Sequence, residues 1–450
     1  MSKNRHTTSR RGFLRVGTAA LATMSIVPGY VLGLRGAVSP NNRLNIAAIG
    51  IGGRGGDDLN EVISENIIAL CDVDANYAAK RFRQFPQAKI YSDFRKMLEE
   101  KSKEIDAVVI GTPDHTHAVI AMRAIKMGKH VYCEKPLAHS IQEVRLLVKA
   151  ARQYKVITQV GNQGHASDSI RAFREWIEDG AIGAVREVHA RCESVYGQPN
   201  QVDRVKETHP IPATLDWDLW LGPAPYRGYN PMYVPGRWRG WSAFGTGVIG
   251  DWTCHVVDPV FWALDLGAPT QIEAVETGDY DAVKHLETFP AGSVIRYDFP
   301  AKGNRPAVKL TWYDGAQKPP TPEELPKGQS LPGIGALVVG DKGKIVYGSH
   351  GAAGLKIIPA SKMEGFSQQP KRLPRSPGHH REWIDACKGG KPPGSSFAYG
   401  GSLTELALLG IIATRFKGRK LEWSSADMKF ANCPEANAHL RPALRDGWSL

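Results

Sequence analysis

The 450-residue sequence contains few cysteines, and their spacing is not that of metal ligands or redox pairs. Six cysteines are scattered along the chain without a C-x-x-C pair. A chain of this length can build its core without disulfides. Cys254 and His255 are adjacent, but no further ligand nearby completes a zinc site. We therefore predict no metal site and interpret the cysteines as apolar core residues.

Two further patterns are absent from the sequence. No dense run of Lys and Arg with interleaved aromatic residues suggests a nucleic-acid surface. The formal net charge of +12 falls to +6 without residues 1–36, which carry six Lys or Arg and no acidic residue. No stretch is a convincing membrane span, which needs about 18–20 strongly apolar residues. The sequence thus predicts neither a nucleic-acid partner nor a permanent membrane span.

The N-terminal segment resembles a twin-arginine (Tat) export signal. Residues 9–15 read Ser-Arg-Arg-Gly-Phe-Leu-Arg, and a weakly apolar, uncharged run follows at 16–34. We expect residues 1–36 to be the signal segment, the Tat export machinery to be a partner, and the protein to be periplasmic. No clean A-x-A cleavage site stands out, so an uncleaved fraction would remain tethered to the membrane.

The rest of the chain divides into two patterns. Residues 40–161 alternate short apolar runs, at 44–49, 67–71, 107–111, 130–133 and 156–160, with amphipathic helical stretches. This alternation is typical of a doubly wound parallel sheet. Residues 162–450 instead combine a loop-rich region, several strand-like segments and late helices. We predict an α/β protein with an N-terminal Rossmann domain. An α+β domain with a large, mainly antiparallel, open-faced sheet and C-terminal helices follows it.

A glycine motif lies between the first predicted strand and a helical stretch. Gly50-Ile51-Gly52-Gly53-Arg54-Gly55 fits G-x-G-x-x-G, in which glycines let the backbone approach a pyrophosphate at a helix N-terminus. Asp72 ends the next strand, near the spacing at which a carboxylate binds the ribose hydroxyls. A carboxylate there repels a 2′-phosphate, which favours NAD. Arg54 leaves NADP open as the alternative.

Two later segments are similar to a known family. Thr112-Pro113-Asp114-His115-Thr116-His117 follows one strand, and Glu134-Lys135-Pro136 follows the next. Together with the glycine motif and the D-x-x-x-H pair of Asp251 and His255, they resemble the Gfo/Idh/MocA oxidoreductases. The spacing of that pair places both side chains on one face of a helix.

The resemblance implies that Lys135, Asp251 and His255 converge on the substrate beside the nicotinamide. Histidine can accept a proton near neutral pH. We assign His255 as the base, Asp251 as its orienting partner and Lys135 as the anchor of the substrate hydroxyl. The exchange of roles between Lys135 and His255 remains open.

Other polar residues are weaker candidates for the site. The residues expected near the cofactor are Thr112, Pro113, His117, Glu134 and Lys135. Asn162, His165, Arg237 and Trp238 are expected to contact the substrate, since aromatic faces stack on sugars. Packing of a loop-rich, Trp-rich region is an equal alternative for Trp238.

The predicted function is hydride transfer to or from a secondary alcohol or ketone of a sugar, glycoside or cyclitol, with a tightly bound NAD(P). Two alternatives remain: an NAD-dependent glycosidase that works by oxidation, elimination, hydration and reduction, and a non-catalytic cofactor or sugar sensor. The resemblance also implies a homodimer or homotetramer.

Overall fold

The structure is a computed structural model that describes residues 42–450, except 327, 364–365, 367–370 and 442–443. The predicted signal segment, residues 1–36, lies outside the described residues. Residues 44–450 form one compact unit built on two sheets.

The first sheet has six parallel strands in the order β3-β2-β1-β4-β5-β6. The strands are β1 Asn45–Ile49, β2 Asn66–Cys71, β3 Lys89–Tyr91, β4 Ala107–Ile110, β5 His130–Cys133 and β6 Thr158–Val160. The helices between them are Arg54–Glu61, Ala79–Gln84, Phe94–Glu100, Asp114–Lys126 and Ile141–Tyr154. The predicted Rossmann sheet is confirmed. Strand order reverses between β1 and β4, and ligands bind at such a point beyond the carboxyl ends of the strands.

The short edge strand β3 was missed by the sequence interpretation. Two of its three residues are exposed, so it lacks the apolar run that marks the other strands.

The second sheet has nine strands in the order β13-β12-β11-β7-β10-β9-β8-β14-β15. These are β7 Val185–Cys192, β8 Gln271–Glu276, β9 Val294–Phe299, β10 Val308–Asp314, β11 Ile334–Gly340, β12 Lys344–Gly348, β13 Lys356–Ile358, β14 Lys420–Ser424 and β15 Lys429–Phe430. Only the β7–β10 pair is parallel among these described strands, which confirms the mainly antiparallel prediction. On the outer face, Arg296 and Lys309 are exposed, as expected for an open-faced sheet.

Some helices of the second part pack on the second sheet, above all Gly247–Val256 and Phe397–Thr414, and His379–Cys387 packs against the first sheet. The helices of this part include Asp168–Glu178, Trp217–Leu221, Gly247–Val256, Asp258–Ala263, His379–Cys387 and Phe397–Thr414. Among the described residues, Phe397–Thr414 is long and apolar enough to cross a membrane, but most of it is buried. It packs against Gly247–Val256 and Ile141–Tyr154, and a helix that is apolar all round is typical of such a core position.

The C-terminal segment returns to the Rossmann sheet. His380 Nε2 lies 3.1 Å from Asp58 Oδ1, and its ring stacks on Tyr132 of β5 with centroids 4.6 Å apart. Gln159 Nε2 donates to the carbonyl of His379 at 2.5 Å. These contacts tie the two parts together. Residues that follow β1, β4 and β5 line one cleft with Asp251 and His255 of the helix Gly247–Val256.

Candidate active site

The glycine turn is packed so closely that side chains on its glycines would collide with neighbouring atoms. Gly50 has φ +75°, and a Cβ on it would lie 2.6 Å from the Thr112 side chain. A Cβ on Gly55 would lie 2.3 Å from the Gly50 carbonyl oxygen and 3.1 Å from the Gly111 Cα. The helix Arg54–Glu61 therefore starts against the sheet, with its N-terminus toward the cleft. This geometry fits a dinucleotide whose pyrophosphate lies on that helix end.

A Gly55→Ala substitution is expected to weaken NAD binding at least about tenfold, because the methyl group pushes the turn away from the sheet. Isothermal titration with NAD measures this. Gly343→Ala is the matched control, since its nearest atom in the structure, on Ile182, lies 3.3 Å from the added Cβ. Equal NAD affinity of the Gly55→Ala and unsubstituted proteins would contradict this account of the turn.

Asp72 lines the cleft at the end of β2 and is bonded to the turn. One carboxylate oxygen accepts from the backbone N–H groups of Ile51 and Gly52 at 2.8 and 3.0 Å. The other oxygen accepts from Asp74 N at 3.0 Å. Asp72 thus positions the glycine turn as well as lining the cleft.

Arg54 is held by carboxylates on the opposite side of the glycine turn. Its guanidinium lies 3.0 Å from Asp58 and 3.1 Å from Glu134. Burial raises the pKa of Glu134 to about 7 and that of Asp58 to about 7, although the charge of Arg54 lowers both. The guanidinium is therefore already engaged by Asp58 and Glu134.

This arrangement predicts that NAD binds at least about tenfold more tightly than NADP, because the carboxylate of Asp72 repels the phosphate and Arg54 is already paired. Isothermal titration with both nucleotides checks this. Equal affinities would show that another cation receives the phosphate.

Lys135 and Asp251 form a buried ion pair across the cleft. Lys135 Nζ donates to Asp251 Oδ1 at 2.5 Å. Burial opposes the charge on Lys135, but the carboxylates of Asp251 and Glu134 outweigh it and raise the pKa of Lys135. Burial alone would raise the pKa of Asp251, yet Lys135 and Arg239 lower it. Lys135 is thus a fixed cation and hydrogen-bond donor.

Two more side chains hold the carboxylate of Asp251. Tyr196 Oη donates to Oδ2 at 3.0 Å, and Arg239 Nε lies 3.5 Å from Oδ1. Burial and the nearby charge of Asp251 raise the pKa of Tyr196 to about 12, so the phenol keeps its proton. The carboxylate is therefore fixed from three sides.

His255 lies one turn after Asp251 on the helix Gly247–Val256, as the spacing predicts. Burial, with the nearby charges of Lys135 and His350, lowers the pKa of His255 well below its usual value. Its Nδ1 has no hydrogen-bond partner among the described residues. The ring is therefore neutral at pH 7, whereas Lys135 keeps its proton. The electrostatics favour His255 as base and Lys135 as anchor over the exchanged roles.

One continuous cleft of about 390 Å³ joins the cofactor and substrate sides. The predicted residues that line it are Gly50, Gly52, Gly53, Arg54, Asp72, Thr112, Pro113, Glu134, Lys135, Trp238, Asp251 and His255. Residues of the Rossmann domain and of the second part of the chain therefore meet in one space, large enough for a nucleotide end and a small molecule.

Six predicted residues do not line the cleft. Ile51, which is buried, and Gly55 belong to the glycine turn itself, and the other four lie elsewhere. The ring nitrogens of His117 are each 2.8 Å from a backbone carbonyl oxygen, of Pro136 and Thr112, and the ring is buried. Asn162 and His165 are buried and bond to Asp258, at 3.2 and 3.0 Å. Arg237 points to solvent. Of these four, the first three support the cleft wall, and none lines the cleft.

Among the cleft residues that the sequence interpretation missed are Arg239, Trp252 and His350. It also missed Tyr196, which holds Asp251 without lining the cleft. Arg239 lies two positions after Arg237 and stacks on Trp238, with its guanidinium carbon 4.3 Å from the ring. Trp252 follows Asp251 directly, and its indole N–H donates to Tyr196 at 3.1 Å. Of these missed residues, only Trp252 could have been inferred from the sequence, because it follows Asp251 on the predicted helix. Tyr196 follows β7 and His350 follows β12 of the second sheet, and no motif marks either residue.

Comparisons with known proteins agree with this architecture. Residues 44–162 match the family model described as "Oxidoreductase family, NAD-binding Rossmann fold". Residues 194–291 match the model described as "Oxidoreductase family, C-terminal alpha/beta domain". The first domain is therefore an NAD-binding domain, as the glycine turn and Asp72 indicate.

Two curated relatives match part of the chain. A levoglucosan dehydrogenase of Pseudarthrobacter phenanthrenivorans is 31% identical over 116 residues, 26% of this chain and 29% of that protein. An inositol 2-dehydrogenase of Salmonella typhimurium is 29% identical over 154 residues, 33% of this chain and 45% of that protein. The match thus spans less than half the length of each relative.

Solved structures share the fold over most of the chain. The WlbA dehydrogenase of Bordetella pertussis, in complex with NADH and UDP-GlcNAcA, has a TM-score of 0.58 at 17% identity, covering 85% of this chain and 99% of that one. An inositol dehydrogenase homologue of Azotobacter vinelandii, complexed with NADH and myo-inositol, has a TM-score of 0.56 at 15% identity, covering 85% and 98%. By its two matching domains, this chain belongs to the Gfo/Idh/MocA family of oxidoreductases.

Proposed function

We propose that this protein oxidises a secondary alcohol of a sugar, glycoside or cyclitol to a ketone, or reduces the ketone, with a tightly bound NAD. The observation that carries the proposal is the meeting of Lys135, Asp251 and His255 in the cleft that begins at the glycine turn. Two similar proteins are named for a sugar derivative and a cyclitol, which supports the substrate class.

The cleft residues divide the reaction between them. NAD, when bound, would supply the nicotinamide ring that accepts the hydride from the carbinol carbon. Lys135 donates a hydrogen bond to the substrate oxygen, and neutral His255 takes the hydroxyl proton. The electron pair of the broken O–H bond becomes the second bond of the carbonyl. Asp251 keeps Lys135 charged and fixes its direction, and reduction of a ketone reverses these transfers.

We also propose that the chain is exported in folded form by the Tat machinery and works in the periplasm, as a homodimer or homotetramer. The twin-arginine segment supports export, and family resemblance supports oligomerisation. Free nicotinamide is scarce outside the cytoplasm, so a bound cofactor would be returned to its starting state by a second substrate or an external acceptor.

The test uses full-length protein purified from the periplasm. Its near-ultraviolet absorbance is recorded, and D-glucose, levoglucosan and myo-inositol are each added while reduced nicotinamide is followed. Reduction by one of them supports the proposal, whereas protein that neither contains nor binds NAD would refute it. Release of p-nitrophenol from nitrophenyl glycosides without an acceptor would indicate the glycosidase. Polyol binding without reduction would indicate the sensor.

A further inference from the structure

His350 lies in the active-site cleft although no motif marks it. It belongs to the turn between β12 and β13, and its ring stacks on His255 with centroids 4.1 Å apart and planes at 23°. Both rings meet the edge of Trp252, with centroids 5.8 Å away. The second sheet thus adds a side chain directly beside the proposed base.

The backbone that carries His350 is in the left-handed region. His350 has φ 56° and ψ 55°, Gly351 has φ 84°, and Ala352 has φ 63°. Non-glycine residues rarely adopt this conformation, and such strain persists where the surroundings enforce it. This strained backbone lies beside the cleft, which points to a function for the His350 side chain.

Several contacts enforce this turn. The hydroxyls of Ser167 and Ser169 both donate to the Gly351 carbonyl at 2.8 Å. Gly348 N donates to the Ala353 carbonyl at 2.6 Å. Gly164 packs so closely that a Cβ on it would lie 2.3 Å from the carbonyl carbon of His350. The position of the imidazole is therefore fixed before any ligand binds.

His350 is partly exposed in the cleft, and one of its ring nitrogens has no partner among the described residues. Its Nδ1 lies 2.8 Å from Ser349 Oγ, while Nε2 makes no hydrogen bond to the described residues. Burial, with the nearby charges of Lys135 and Arg54, lowers the pKa of His350, so the ring is neutral at pH 7. The stacking is parallel, so the nitrogens of the two rings do not point at each other. A direct proton relay from His255 to His350 is thereby disfavoured.

We propose that His350 is a substrate-binding residue, whose Nε2 hydrogen bonds a hydroxyl adjacent to the one that is oxidised. This inference rests on the proposed function. Sugars and cyclitols carry hydroxyls on neighbouring carbons, and two parallel imidazoles about one ring thickness apart match such a pair. The site thus selects vicinal diols, with one oxygen at His255 and Lys135 and the next at His350.

The first test is protection from carbethoxylation. Diethyl pyrocarbonate is added to the NAD-loaded protein with and without D-glucose, levoglucosan or myo-inositol, and modified peptides are quantified by mass spectrometry. The substrate that is oxidised should slow modification of His350 about tenfold. His209, with 41% of its side chain exposed, serves as the internal control and should react at the same rate.

The second test is the His350→Asn variant, because asparagine tolerates the left-handed backbone. Loss of one substrate hydrogen bond should raise KM about tenfold, with kcat within about threefold. The variant and the unsubstituted protein should become equal on a substrate that lacks the neighbouring hydroxyl. His209→Asn is the matched control and should change neither constant.

The outcomes separate the two proposals. If none of the three polyols reduces NAD, the proposed function fails and this inference falls with it. If one is oxidised but does not protect His350, and the variant lowers kcat at constant KM, then His350 acts only through His255. In that case the substrate contact is refuted while the proposed function stands.

Discussion

A His255→Gln variant is expected to lose about 10²–10⁴-fold in kcat, the usual contribution of a positioned general base. Glutamine keeps much of the side-chain volume and a polar end, but it does not accept a proton near neutral pH. His255 lies beyond the glycine turn in the same cleft, so the affinity for NAD should change less than about threefold.

The pH dependence tests the same role. Because the pKa of His255 is lowered from its ordinary value of 6.5, the ring stays neutral when the pH falls below 6.5. The acidic limb of the kcat/KM profile should therefore lie below pH 6.5. In the His255→Gln variant, the ionisation of this ring no longer contributes to the acidic limb. The remaining activity should therefore change less with pH.

The measurement is the rate of nicotinamide reduction with the active polyol, alongside titration with NAD. Cys254→Ala is the matched control, since Cys254 is buried on the same helix but does not line the cleft. It should retain most of the activity. If His255→Gln retains more than a tenth of the activity of the unsubstituted protein, the base must be sought elsewhere.

The parts of this site that could be predicted from the sequence are those specified locally. The glycine turn joins one strand to the next helix, and Lys135 ends a strand of a parallel sheet. Asp251 and His255 share a helix face because of their spacing. In each case a few consecutive residues determine where the side chain lies.

The residues that escaped prediction depend on long-range packing. His350 reaches the cleft because β12 pairs in a nine-stranded sheet and a strained turn faces Gly164. Arg239 rather than Arg237 points inward, because the short helical turn at Arg237–Gly240 places Trp238 beneath its guanidinium. The parallel pairing of β7 with β10 likewise has no local signature.

An Asp251→Ala variant is expected to lose both stability and activity. The Asp251 carboxylate contacts Lys135 at 2.5 Å, Tyr196 at 3.0 Å and Arg239 at 3.5 Å. Removing it leaves Lys135, whose side chain is only 12% exposed, without its nearest counter-charge. Breaking a buried pair in this way costs about 3–5 kcal/mol in the free energy of unfolding. The turnover should fall at least about 100-fold as Lys135 loses its position.

The double variant Lys135→Met/Asp251→Leu separates these two effects. Apolar side chains of similar size need no counter-charge, so at least half of the lost unfolding free energy should return. Recovery is incomplete because Arg239 keeps its charge, although 31% of its side chain is exposed to water. Urea unfolding with saturating NAD measures stability, and nicotinamide reduction measures activity. A double variant that is stable yet inactive shows that the pair is kept for catalysis, whereas a loss below about 1 kcal/mol in Asp251→Ala would mean that water already solvates the ammonium.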